Sequence, residues 1–179
     1  MRSITVCSLL LLVLLLPADL SAQVEDSLDW PVPKNAVALN LGSIAVNSVS
    51  IGYTRAINHQ VGLGLHAGYL FHPVGNQRAI GYEGWVQLRY HPAHKALWRF
   101  YWSVQGGYQI IHVKRPDAEA GGPLAGFVTG WQWFPQGQLA VGLGVGVQQK
   151  FGGEGTPNDA ILKAFGTQPI LSFDIGYAW

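Results

Sequence analysis

The chain has one cysteine among its 179 residues, Cys7, and it falls inside an apolar amino-terminal run. With that run removed, no disulfide, cysteine-ligated metal or lipid-bearing cysteine is left. Charge is scarce as well: Asp, Glu, Lys and Arg make up 12% of the residues, and the net charge is +1. So even a balance gives no electrostatic footing for nucleic acid. Beyond residue 22 no apolar run approaches the ~20 residues that a spanning helix needs, so any passage through a membrane has to be made by strands. What the chain does contain is 23 glycines, 7 tryptophans and 7 tyrosines. Few charges and many aromatics suit a non-aqueous neighbour.

Residues 1–22 combine Arg2, the run from Leu9 to Leu16, and the ending Leu20-Ser21-Ala22. This reads as a secretory signal peptide cut after Ala22. Residues 23–33, with three acidic side chains and two prolines, read as an extended leader on the periplasmic side. Residues 34–179 then form one domain.

The end of that domain is the clearest stretch. Leu171, Phe173, Ile175, Tyr177 and Trp179 alternate with Ser172, Asp174, Gly176 and Ala178. A period of two is that of a strand, and about ten residues is the length of a tilted strand that crosses a bilayer. The same alternation recurs over 36–42, 48–57, 61–71, 80–90, 100–110, 124–134 and 139–148, giving eight strands. Gly, Pro and Asn mark connections at 72–78, 114–123 and 152–167, the last with room for one helical turn over 160–165. The connections after strands three, five and seven read as longer than those after strands two, four and six. The expectation is an all-β fold, an eight-stranded antiparallel up-and-down transmembrane β-barrel in the cell outer membrane.

A soluble barrel that holds a ligand would show the same periodicity. Lipid is favoured by the signal peptide, the aromatics near strand ends, and an opposite face too rich in glycine to be a charged exterior. Eight strands enclose only enough space for side chains. Glycines in strands three and seven would make room there for Trp85, Tyr101 and Gln132. Glu83, Arg89, Asp174 and His66 are the inward polar residues, and a dry interior predicts that Arg89 pairs with one or both carboxylates.

Chemistry is thinly signalled. His66, Glu83 and Ser103 could be written as a hydrolase triad, but no compact nucleophile–base motif accompanies them, and interior polar packing explains the same types. His91, His94 and His72 lack the helical spacing of a zinc site. The Gly-x-Gly repeats at 62–64 and 142–146 have no following helix to hold a phosphate. No catalytic, cofactor-binding or metal-binding residue is assigned, and no cofactor is expected.

The stretch from Lys34 to Gly42, the segment Ser48-Val49-Ser50-Ile51-Gly52-Tyr53-Thr54-Arg55, and Gln87-Leu88-Arg89-Tyr90-His91-Pro92 together resemble the DUF3575 family of small outer-membrane β-barrel proteins, frequent in Bacteroidota. The resemblance implies a barrel and no catalytic residues. The expected partners are outer-membrane lipid, the barrel-assembly machinery reading Phe173, Ile175, Tyr177 and Trp179, and an extracellular ligand met by loops 114–123 and 151–167. A structural or surface-interaction role is the leading expectation. A lipid-modifying enzyme, a narrow solute channel and a soluble ligand-binding barrel are the alternatives.

Overall fold

A computed structural model describes residues 32–74, 77–92, 96–114, 117–135, 137–152 and 165–179. The expected signal peptide, most of the leader, residues 160–164 of the expected helical turn and His94 lie outside them. The strands are β1 (Asn35–Asn40), β2 (Ser48–Ala56), β3 (Val61–Val74), β4 (Gln77–Tyr90), β5 (Arg99–Lys114), β6 (Asp117–Trp133), β7 (Leu139–Lys150) and β8 (Gly166–Ala178). Each pairs with the next, and β8 returns to β1, closing an eight-stranded antiparallel up-and-down barrel. The closing pair runs from Ala36 opposite Ala178 to Asn40 opposite Asp174. An even count brings Asn35 and Trp179 to one end, where the Asn35 N–H donates to Trp179 O at 2.9 Å and the Trp179 N–H returns a bond to Asn35 O at 2.9 Å. This is called the terminal end below, and the other the far end.

The alternation read from the sequence sorts side chains by face. Leu65, Val104 and Val145 point outward and remain 56%, 56% and 51% exposed, while Glu83, Gln87, Arg89, Ser103 and Gln132 are buried inside. Phe173, Ile175, Tyr177 and Trp179 all lie on the outer face of β8. Aromatics gather in two outer bands. At the terminal end, Tyr90 stacks with Trp102, Trp102 meets Phe100 edge-on, and Phe100, Trp131 and Trp133 continue the row. Tyr177, Trp179 and Tyr53 extend it across the seam. Towards the far end, Tyr69 packs against Phe71 and Tyr82.

The wall is uneven in height, from 6 residues in β1 to 17 in β6. Several expected boundaries are corrected by this. Residues 72–78 are mostly ladder, since Val74 pairs with Gln77. Residues 117–123 of the expected polar loop 114–123 belong to β6, with Lys114 opposite Asp117. The 151–167 connection is shorter at its end, because β8 already starts at Gly166. The expected sorting of connections by length fails too: the turn after β4, residues 91–98, is longer than those after β3 and β5.

Proline explains the misreading. Pro73 and Pro123 were signals of loops, yet each stands in a strand just past the point where one neighbour ends, and Pro169 likewise stands where β8 has outrun β1. The β2 ladder on β3 stops at Leu70, the β7 ladder on β6 at Leu124, and the β1 ladder on β8 at Asp174. A strand with one neighbour has no use for the missing N–H. At Pro123 the carbonyl on that side is still used, accepting from the Phe151 N–H at 2.9 Å.

Both mouths are filled. At the far end Leu70, Ala79, Ile111, Val113 and Phe165 form an apolar cluster inside the wall. At the terminal end Ala96, Leu97 and Trp98 of the β4–β5 turn are buried, together with Phe134 and Ala178. Large inward rings sit opposite glycines. The Tyr101 hydroxyl lies 2.6 Å from where a Cβ on Gly130 would be, and 3.1 Å from one on Gly144; Trp85 comes within 3.3 Å of one on Gly68. The expected service of β3 and β7 glycines to Trp85 and Tyr101 thus holds, with Gly130 of β6 added, and Gly142 of β7 stands directly opposite Gln132.

Gly130→Ala therefore places a methyl group against the Tyr101 ring and the Leu143 carbonyl, 2.5 Å away. The expected cost is about 1–3 kcal/mol of overpacking, read as a lower urea midpoint for the folded barrel; an unchanged midpoint would show that Tyr101 can move aside.

Candidate functional site

The lumen carries the polar chemistry of the molecule. Lys150, at the end of β7, donates to Glu83 Oε2 of β4 at 3.0 Å, and both are buried. Ser48 of β2 donates to the other carboxylate oxygen at 3.3 Å. Arg89, three pleat repeats below Glu83 on the same strand face, donates Nε to Gln87 Oε1 at 2.8 Å and Nη1 to Gln132 Oε1 at 2.9 Å. Its guanidinium lies over the Tyr101 ring, 4.7 Å from the centroid. Asp174 accepts from the Ser172 hydroxyl at 3.2 Å. His66 stacks on Trp85, rings nearly parallel at 5.0 Å between centroids.

The four residues singled out from the sequence do share the lumen, and Arg89 and Asp174 line one small cavity, but the expected pairing of Arg89 with Glu83 is corrected. Glu83 takes Lys150 instead, and Arg89 is held by two amide oxygens and an aromatic face. The reason lies in strand register. β4 places Glu83 at the level of Gly68 and Arg89 at that of Gly62, about six residues apart along the wall. Sequence reading missed Lys150 because strand seven was ended at Gln148. The inward series Ala140, Gly142, Gly144, Gly146, Gln148 reaches Lys150 at the next step, so one more period would have found it.

The Ser103 hydroxyl is taken up by groups other than His66 and Glu83. Ser103 accepts from Gln87 Nε2 at 2.9 Å and donates to the Val128 carbonyl at 3.1 Å, both structural bonds within the wall. His91 is occupied by its own turn: the Leu97 N–H donates to Nε2 at 3.1 Å, so the neutral ring carries its proton on Nδ1, 3.3 Å from Trp98 O. The turn needs such support. Leu97 and Arg99 have φ of 67° and 66°, a region that costs a non-glycine residue about 1 kcal/mol or more. Arg99 also lies over the Trp98 ring at 4.2 Å. Among the described residues, no group of three or more His, Cys, Asp or Glu is placed to hold a metal ion.

Two cavities run along the β1 side of the lumen. The larger, about 60 Å³, lies between the Glu83–Lys150 pair and Asp174; the smaller, about 20 Å³, continues past Arg89 and Asp174 to Thr54 and Ala140. Such volumes hold a few waters or a polar group of several atoms.

Lys150→Met leaves a buried carboxylate without its cation and is expected to cost about 3–5 kcal/mol, whereas adding Glu83→Gln to it restores much of the loss. Urea unfolding of the two single variants and the double variant measures the coupling, and strict additivity would mean that the pair is not a unit.

At His91, burial, with the nearby Arg89 guanidinium second, pulls the pKa from 6.5 down to about 4, against the opposing effect of backbone hydrogen bonds at Trp98 and Phe100. The folded state thus prefers the neutral ring. Its stabilisation is complete above about 6.5 and is lost as pH falls towards about 4, where protonation removes the acceptor for Leu97. His91→Ala should cost about 1–3 kcal/mol at neutral pH, with the gap from wild type narrowing across that window in urea titrations; a gap independent of pH would refute the assignment. No protein-family model, curated protein or solved structure matches this chain.

Proposed function

We propose that the chain is a small outer-membrane β-barrel protein with a structural or surface-interaction role, its terminal end towards the periplasm. The observation that carries this reading is the inside-out distribution of side chains. Ion-paired and amide groups fill the lumen, while Leu, Val, Ile and aromatic side chains cover the outside of all eight strands. A water-soluble protein exposes contiguous apolar patches of only a few hundred Å², so a girdle of this extent calls for lipid.

The aromatic bands add a dimension. On β4, Tyr82 and Tyr90 mark the two bands and stand eight residues apart. At about 3.4 Å per residue and a tilt near 40°, that is roughly 21 Å along the barrel axis, close to the ~25 Å apolar height of outer-membrane barrels. The resemblance of 34–42, 48–55 and 87–92 to the DUF3575 family fits the same reading. Phe173, Ile175, Tyr177 and Trp179 supply the aromatic last strand that the barrel-assembly machinery would read. The protruding end of the β5–β6 hairpin and the 151–167 connection are then the surfaces that meet an extracellular partner. The filled mouths favour this role over a solute channel, and the engagement of the Ser103 hydroxyl by Gln87 and the Val128 carbonyl favours it over hydrolysis.

The test is electrophoretic mobility of the membrane-extracted protein with and without boiling, together with separation of inner and outer membranes. A compact, fast-migrating band from the outer-membrane fraction that slows on boiling is expected. A periplasmic protein without the shift would overturn the proposal.

A further inference from the structure

A cavity confined to the lumen touches a strand only at alternate residues, and on β2 the larger cavity does so, at Ser48 and Ser50. On β8 it meets Gln168, Pro169, Ile170, Leu171 and Ser172 in succession. Pro169 and Leu171 face outward, so the cavity reaches round the edge of the strand. That edge is free of a strand neighbour because β1 ends at Asn40, opposite Asp174. Among the described residues, the short 3-10 helix Gly42–Val46 stands beside it.

The seam is closed below this point by specific bonds. Asn40 Oδ1 accepts from the Phe173 N–H and the Ser43 N–H, each at 3.1 Å, and the Leu41 N–H donates to Phe173 O at 2.8 Å. Above it, Val46 from the helix and Ile170 from β8 line the cavity without any strand bond between them. With both mouths filled by apolar side chains, the seam is the side on which the cavity approaches the outer face.

Resting on the transmembrane reading, we propose that this seam is a lateral portal. Through it a single-chain amphiphile with a small uncharged polar head, an alcohol, amide or glycerol ester, places its head in the lumen and leaves its chain in the bilayer. The rim is apolar, with Leu41, Ile44 and Leu171 exposed. The interior is polar but electrically balanced: Lys150 and Arg89 offset Glu83 and Asp174, so a charged head would introduce a charge with no counterpart in a low-dielectric site. Trp85 borders the cavity, and its buried indole N–H has no hydrogen-bond partner among the described residues. A hydroxyl or carbonyl oxygen is the acceptor it lacks.

The experiment uses the full chain with Cys7→Ser, carrying either Ser172→Cys at the cavity or Val145→Cys on the lipid face, in phosphatidylcholine vesicles. Each is treated with apolar N-cyclohexylmaleimide and with a charged trimethylammonium methanethiosulfonate. Both sites should react with the maleimide and resist the charged reagent. Saturating 1-monolauroylglycerol should slow Ser172→Cys about tenfold by mass action, leave Val145→Cys unchanged, and have no counterpart in laurate at alkaline pH. Ile170→Cys, one inward position higher, gives the same pattern should Ser172→Cys fail to fold. Inertness of both cavity sites, reaction with the charged reagent alone, or equal protection by laurate would overturn the portal. Reaction of Val145→Cys with the charged reagent would overturn the transmembrane reading, and the portal with it.

Discussion

An eight-stranded ring leaves an interior only as wide as the side chains that fill it, and most of this molecule follows from that narrowness. Several bulky inward groups sit over glycines of a neighbouring strand or of their own. Tyr101 lies over Gly130 and Gly144, His66 over Gly52 and Gly64, and Asp174 over Gly142. These glycines serve the rings and carboxylates of the lumen, whereas Gly137, Gly152 and Gly166 take positive φ at turns and strand ends. A barrel so filled needs no wide pore to be stable, and the apolar material displaced from its inside covers its outside.

Narrowness also decides how charge is handled. Four formal charges share the lumen within a short height, and direct pairing is used once, between Lys150 and Glu83. Arg89 is satisfied by Gln87, Gln132 and the Tyr101 face, neutral groups that cost less to bring out of water than a second carboxylate. Gln87 then passes the constraint on, since its amide nitrogen holds Ser103, which in turn holds the Val128 carbonyl on β6. The chain of bonds ties β4, β5 and β6 together through their side chains as well as their ladders.

Strand number, face and closure were legible in the sequence because a period of two survives in every strand, most plainly in Leu139 to Val147 and Leu171 to Trp179. Lumen membership of Glu83, Arg89, Asp174 and His66 was legible for the same reason. Partners were not. Alternation fixes which way a side chain points but not its height, which depends on cross-strand register. Arg89 and Glu83 look close in sequence, while Lys150 is 67 positions from Glu83 and touches it. The ends of strands were obscured by proline, whose meaning depends on whether a neighbour is present, a fact held by another strand. The plug was hidden too: Leu97 in a polar-looking turn gives no sign that it will be buried against Gly62.

The same logic of edges links the prolines to the seam. A closed barrel removes edges by pairing every strand on both sides, but here the wall is cut down at β1, and three strands rise past a neighbour that has stopped. At β3 and β6 the resulting edges lie towards the far end, beside the apolar cluster. At β8 the edge lies lower, beside the polar cavity, because β1 ends after six residues. Had β1 continued as a strand through residue 46, the ladder would have covered β8 as far as Gln168 and sealed the cavity inside. A 3-10 helix capped by left-handed Asn47 takes its place, trading strand bonds for one side-chain acceptor, Asn40. The weakest part of the hydrogen-bonded wall thus coincides with the most polar part of the interior.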